Sequence, residues 1–154
     1  MPYARTPLQR LPRLQLNGPA GTIRLHAPEL GAPVLLLVRN EALDRSRPYI
    51  SALVESLSEL RNRDGRALLI TEDDVGKTGL PSAVASRDVW DSLSIDDSAL
   101  IIADRWGVVY VVKETTTFED LPPAEEVVGW VRYLAMQRPE CGVIDEPGYG
   151  EWAL

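Results

Sequence analysis

Cysteine and histidine are almost missing from this chain. Each occurs once, as Cys141 and His26. A single thiol excludes an intramolecular disulfide and any metal site built on several cysteines. With one imidazole, a site shared between two histidines is excluded too. His26 follows a strand pattern, and the expectation for it is a surface or hydrogen-bonded residue, not a ligand or base. The low thiol count fits a reducing compartment, so a cytoplasmic location is expected. Lysine is nearly absent as well, with Lys77 and Lys113 the only two. No apolar run approaches the ~20 residues of a membrane span. Pro2, Arg5, Pro7, Arg10, Pro12 and Arg13 interrupt the first residues, so no secretory signal is expected. The fingerprints of serine hydrolases, zinc proteases and dinucleotide-binding folds are lacking. Gly76-Lys-Thr78 ends like a phosphate-binding loop, but the glycine needed five residues earlier is Thr71.

What is present is ordinary for one folded domain. The chain has 154 residues, 45% of them hydrophobic and 25% charged, with a formal net charge of -7. That charge disfavours nucleic acid and anionic membranes as partners. It is unevenly spread. Residues 1–28 carry Arg5, Arg10, Arg13 and Arg24 and no acid, so a basic arm precedes an acidic body. The expected division is an arm over 1–10, a domain over 11–140 and a tail over 141–154.

The central signal is the apolar run 33–38, which suits a strand buried on both faces. Before it, alternation at 13–16 and 22–25 around Asn17-Gly-Pro-Ala-Gly21 predicts a hairpin. After it, Tyr49, Ile50, Leu53, Val54, Leu57 and Leu60 form an apolar stripe and predict a helix over 47–61. Ser46 is its expected N-cap and Pro48 lies in its first turn. A second buried strand at 67–70 completes a right-handed strand–helix–strand unit with parallel strands. A short extended piece at 82–86 and a short helix at 87–94 follow. Then 99–103 and 108–112 flank the turn Asp104-Arg-Trp-Gly107 and predict an antiparallel hairpin. A last helix opens at Leu121-Pro-Pro123, buries Val127, Val128, Trp130, Val131, Leu134 and Met136, and stops before Pro139.

Two groups of side chains are candidates for chemistry. Arg45 and Arg47 sit at the start of the first long helix, where an anion can bind. Glu72, Asp73 and Asp74 leave one strand, and Asp96 and Asp97 precede another, at the same expected sheet edge. Converging, these acids would hold a divalent cation or a phosphorylated ligand.

Several segments resemble one family. Leu11-Pro12, Leu16 and Gly21-Thr-Ile-Arg-Leu25 are similar to its opening hairpin. Pro33-Val-Leu-Leu-Leu-Val38 is similar to its core strand, and Trp90-Asp-Ser-Leu-Ser-Ile95 to its short helix. Ile102-Ala-Asp-Arg-Trp-Gly107 resembles its late hairpin, and Arg138-Pro-Glu-Cys-Gly142 a Cys-Pro-Glu-Cys-Gly ending with Arg138 in place of the first cysteine. The family is the thioredoxin-like superfamily in its peroxiredoxin or AhpC/TSA (redoxin) form. The resemblance implies an α/β fold: a three-layer sandwich with a central mixed β-sheet flanked by helices and an N-terminal β-hairpin. It also implies a nucleophilic cysteine pair near Leu43 and Ser46 and a cis-proline at Ser98, and all three positions depart from the pattern.

The expectation is therefore a degenerate, non-catalytic redoxin-like domain that acts as a binding or interaction module. It would be a homodimer, open to a protein partner, without cofactor or metal. The first alternative is a thiol-dependent redox protein using Cys141. The second is a metal or phosphoryl-ligand site at the acidic loop edge.

Overall fold

The computed structural model describes residues 9–19 and 21–136. The expected arm up to residue 8, Cys141 and the tail lie outside them. Seven strands form one mixed sheet: β1 (Gln15–Gly18), β2 (Gly21–Arg24), β3 (Ala32–Val38), β4 (Gly65–Thr71), β5 (Ser82–Val84), β6 (Ser98–Ala103) and β7 (Val109–Thr115). Their order across the sheet is β2-β1-β5-β4-β3-β6-β7. The opening hairpin pairs Gln15 with Arg24 and Leu16 with Ile23. It joins the sheet through a single antiparallel rung, Asn17 to Val84. Strand β3 runs parallel to β4 from the Ala32–Gly65 rung to the Val38–Thr71 rung, and antiparallel to β6. The late hairpin of β6 and β7 carries a register shift at Ile102 and Ala103.

All seven residues of β3 are buried, and strand alternation sends them into two cores. Val34, Leu36 and Val38 face one layer of helices: α1 (Leu43–Glu55), α2 (Leu57–Asn62) and α4 (Ala124–Ala135). There they meet Tyr49, Ile50, Leu53, Leu60, Val127 and Val131. Leu35 and Leu37 face the other side, with Leu68, Ile70, Ile101, Leu11 and Trp90 of α3 (Arg87–Ser92). Helices thus cover both faces, as a buried parallel pair requires. The expected α/β three-layer architecture with its N-terminal hairpin is what the chain adopts.

Three local expectations are corrected. The first long helix starts at Leu43, after a 3₁₀ turn at Asn40–Ala42, so Pro48 lies inside it. Proline lacks the N–H that would bond the carbonyl of exposed Asp44, and water can reach that group. Ser46 is accordingly not an N-cap. It is buried in the first turn, and its Oγ donates to the Leu43 carbonyl at 2.7 Å. The helix also breaks at Ser56, giving α1 and α2. Finally, Met136 does not belong to the buried side of α4, since 74% of it is exposed, and Trp130 is only half-buried.

Gly31 fixes where β3 starts. Its φ is +85°, and a Cβ there would overlap the carbonyl of Asp64, the same carbonyl that accepts the N–H of Ala32 at 2.8 Å. Asp64 itself adopts φ 61° to end the helical layer. Gly31→Ala is expected to lower unfolding stability by about 3 kcal/mol, through both the left-handed backbone and the collision. Urea denaturation checks this, and an unchanged midpoint would remove Gly31 from the account.

Candidate functional site

In α/β sheets the carboxyl ends of parallel strands are where ligands gather. At the end of β3 that edge is filled by the protein's own Arg39. Its backbone N–H donates to Ser98 Oγ at 3.1 Å. The guanidinium donates from Nε to the Asp96 carbonyl (2.9 Å), from Nη2 to the Ile95 carbonyl (3.3 Å) and from Nη1 to Glu72 (3.0 Å). It also lies 4.0 Å from the ring centre of Trp90, a cation–π distance. Only 18% of the Arg39 side chain is exposed, against 31% of Glu72. Planar, permanently charged and forked, the guanidinium can satisfy all these acceptors at once, which an ammonium cannot.

Glu72 is fully engaged. Its second oxygen accepts the backbone N–H of Asn40 at 2.7 Å, and the Asn40 side chain donates to Asp73 at 2.8 Å. The expected acidic edge is therefore dispersed into local pairs. Asp74 accepts from Gly76 N at 2.9 Å, while the N–H groups of Asp96 and Asp97 donate to Glu114 at 3.0 and 3.1 Å. Among the described residues no three His, Cys, Asp or Glu side chains come together as a metal would require.

The other sequence candidates fall in the same neighbourhood without forming a reactive group. Leu43 opens α1 and packs against the core. Ser46 is committed to the Leu43 carbonyl. Ser98 is buried at the start of β6, and the described residues contain no cis peptide bond. Arg45 donates to the Glu41 carbonyl at 3.3 Å, and Arg47 pairs with Asp44 at 3.5 Å. Both arginines are exposed and bonded to residues three or four positions earlier in the chain, so they do not converge as an anion cradle.

Sequence reasoning missed Arg39, although a signal for it exists. Val38 pairs with Thr71 in the parallel ladder, so Arg39 and Glu72 occupy the next rung. An arginine and a glutamate leaving adjacent parallel strands in register are placed to meet.

His26 lies at the opposite edge of the sheet, where its ring packs on Gly107 in the turn between β6 and β7. It is half-buried, its ring nitrogens make no well-formed hydrogen bond among the described residues, and the Leu11 backbone is the polar group that acts on the ring. Burial lowers its pKa, the charges of Arg13, Arg10 and Arg66 lower it further, and the Leu11 backbone opposes them.

Two expectations follow from these edges. Arg39→Ala leaves two carbonyls and part of Glu72 without a donor, and about 2 kcal/mol of unfolding stability should be lost. Glu72→Gln keeps an acceptor for Asn40 and should cost under about 1 kcal/mol. Equal, negligible effects in urea titrations would show that Arg39 is merely solvated there. For His26, the folded pKa lies below the ordinary 6.5, so the unfolded chain binds the proton first. Its contribution to stability is complete above about pH 6.5 and falls away as pH drops through the folded pKa. Subtracting the pH profile of His26→Gln from that of the parent isolates this slope, because the buried Asp104 titrates in both. A flat difference between pH 5 and 7 would contradict it.

No protein-family model matches the chain, and neither does any curated protein sequence. Solved structures do. A peroxiredoxin-like protein from Aquifex aeolicus superposes with a TM-score of 0.67 at 13% identity, covering 86% of this chain and 90% of that one. AhpC from Mycobacterium tuberculosis gives 0.64 at 17% identity, covering 86% and 94%. The thioredoxin domain of a thiol-disulfide oxidoreductase from Bacteroides vulgatus gives 0.65 at 12%, covering 83% and 99%. At such identities the likeness concerns architecture: the chain has the thioredoxin-like fold seen in peroxiredoxins, AhpC and thiol-disulfide oxidoreductases.

Proposed function

We propose that this chain is a redoxin-fold protein that works by binding, as a homodimer open to a further protein partner, and not by thiol chemistry. One observation carries the reading: the edge at the end of β3 is closed by Arg39, Glu72 and Trp90, all of them this chain's own side chains. A thiolate nucleophile needs exposure and a favourable charge beside it. The positions aligned to the family's sulfurs hold Leu43 and Ser46, and the Ser46 hydroxyl is buried and donates to a carbonyl. An alcohol so placed needs a base to attack anything, and His26 is at the far edge.

The binding half of the reading is supported by the surface at the other end of the sheet order. Strand β7 is the last strand and its seven residues are half-buried. A groove of about 510 Å³ runs between β7 and the start of α4, lined by Tyr110, Lys113, Pro122 and Glu126 among others. Beside it, Tyr110, Trp130 and Tyr133 form a chain of ring contacts at 6.4 and 6.0 Å, with Tyr133 half-exposed. Edge strands and aromatic clusters of this kind are where protein partners dock. The described residues contain no helix long and apolar enough to cross a membrane.

Peroxide consumption and disulfide reduction by the parent and by Cys141→Ser test the first half. Equal, near-zero rates are expected; a rate that disappears with the thiol would replace this reading with a Cys141 enzyme. Light scattering after size exclusion tests the second. It should return twice the chain mass, and a monomer at high concentration would remove the dimer.

A further inference from the structure

We propose that the amino edge of the sheet binds a phosphate-type oxyanion, held by Arg10, Arg13 and Arg66 around His26. The chain's topology gathers these four residues. The arm is bonded to the β6–β7 turn, with Leu11 N donating to the Gly107 carbonyl at 2.8 Å and Val109 N to the Gln9 carbonyl at 2.9 Å. Arg10, the last residue of the arm, and Arg13, in the first residues of the domain, lie on either side of Leu11. The His26 ring sits against the same Gly107. Arg66, second residue of β4, reaches across to the carbonyls of Arg24 and Leu25 at 2.5 and 2.6 Å, directly before His26.

Among the described residues, only Asp104 lies near enough to act electrostatically on one of these charges, that of Arg10. The nearby acids among the described residues, Glu29, Asp64 and Asp104, each have another bonded partner. Glu29 is paired with Arg24 at 2.5 Å, and Asp64 with Arg105 at 3.3 Å. Asp104 is buried with Oδ1 accepting the N–H groups of Trp106 and Val108, both at 2.9 Å, although Arg10 lies within electrostatic reach. What remains has only neutral partners or none. Arg10 donates to the Trp106 carbonyl at 2.8 Å. Arg66 donates to carbonyls alone, and its Nε is buried without a partner. Arg13 acts on His26 by its charge, and the His26 nitrogens make no well-formed hydrogen bond among the described residues, the Leu11 backbone being the polar group beside them. Three guanidinium groups and an imidazole collected in a protein of net charge -7 need a reason. The preceding residues offer no carboxylate, because residues 1–28 hold no acid.

The donor set selects the ligand class. Forked guanidinium donors match tetrahedral oxyanions, which accept several of them at once. A tetrahedral oxyanion offers the guanidinium N–H groups not already bonded to carbonyls more acceptors than a carboxylate does. Arg10 and Arg13 are exposed, while Arg66 and His26 are half-buried. A bound dianion stabilises the imidazolium, so anion and proton are taken up together. Affinity then rises as pH falls through the range in which His26 titrates. This inference is independent of the thiol question, and peroxidase activity would leave it untouched.

Because His26 is the only histidine, its imidazole C–H signals stand alone in a proton NMR spectrum of the full chain. Sulfate serves as the probe for the pH series, since it stays a dianion throughout. Saturable shifts of the His26 signals are expected with sulfate and inorganic phosphate, and none with chloride at equal ionic strength. Sulfate should bind more tightly at pH 5.5 than at pH 7.5, a difference that His26→Gln, followed by thermal shift, abolishes. Phenyl phosphate distinguishes sources: binding marks a site for monoesters, and rejection alongside phosphate binding marks a site for the free anion. Arg13→Gln, an exposed change, should weaken sulfate binding about fivefold or more. Arg45→Gln at the opposite edge should not alter it. Equal shifts with chloride, equal losses in both arginine variants, or unchanged binding in Arg13→Gln would each overturn the proposal. If Arg13→Gln fails to fold by circular dichroism, Arg10→Gln takes its place with the same expected loss.

Discussion

Everything in this molecule hangs from a strand that meets no water. Strand β3 is hydrogen-bonded along both edges, to β4 and β6, and buried on both faces. Its backbone polar groups are satisfied by neighbours, which is what allows seven consecutive buried residues to be tolerated. Its two rows of side chains then seed two separate cores. One lies under α1, α2 and α4, and the other under α3, the arm and the opening hairpin. Each covering element is placed by the row of β3 side chains it has to cover.

That dependence explains what was legible in the sequence. The buried run, the hairpin around Gly107 and the alternation near Leu16 are patterns of burial, and burial is what apolar periodicity encodes. The start of α1 was not legible, because Ser46 and Pro48 mimic an N-cap and first turn while the apolar contacts of Ala42 and Leu43 extend the helix backward. Met136 continues the hydrophobic period of α4 past the point where a core lies beneath it. The chemistry of the edges was the least readable. Arg39 and Glu72 are 33 residues apart, and only the parallel register makes them neighbours. The crowd around His26 comes from the arm, the end of β2, the start of β4 and the β6–β7 turn, four places that no local window joins.

The two edges of the sheet solve opposite electrostatic problems. At the carboxyl edge an arginine is neutralised inside the fold by Glu72 and by carbonyl oxygens, and the result is a plug. At the amino edge arginines accumulate, while among the described residues Glu29 pairs with Arg24 and Asp64 with Arg105. A charge paired within the fold contributes shape and little long-range field; charges left uncompensated attract counter-ions. One architecture thus carries two sheet edges of contrasting electrostatic character.

The join between the arm and the β6–β7 turn also bears on how the chain folds. Arg10 and Trp106 are separated by 96 residues, so their contact closes about three quarters of the described chain into a loop. Contacts of such long range pay their closure entropy last, after the local hairpins and the strand–helix–strand unit have formed. That seam also buries Leu11 in the second core, so the residues around His26 are held in place by contacts that span most of the described sequence.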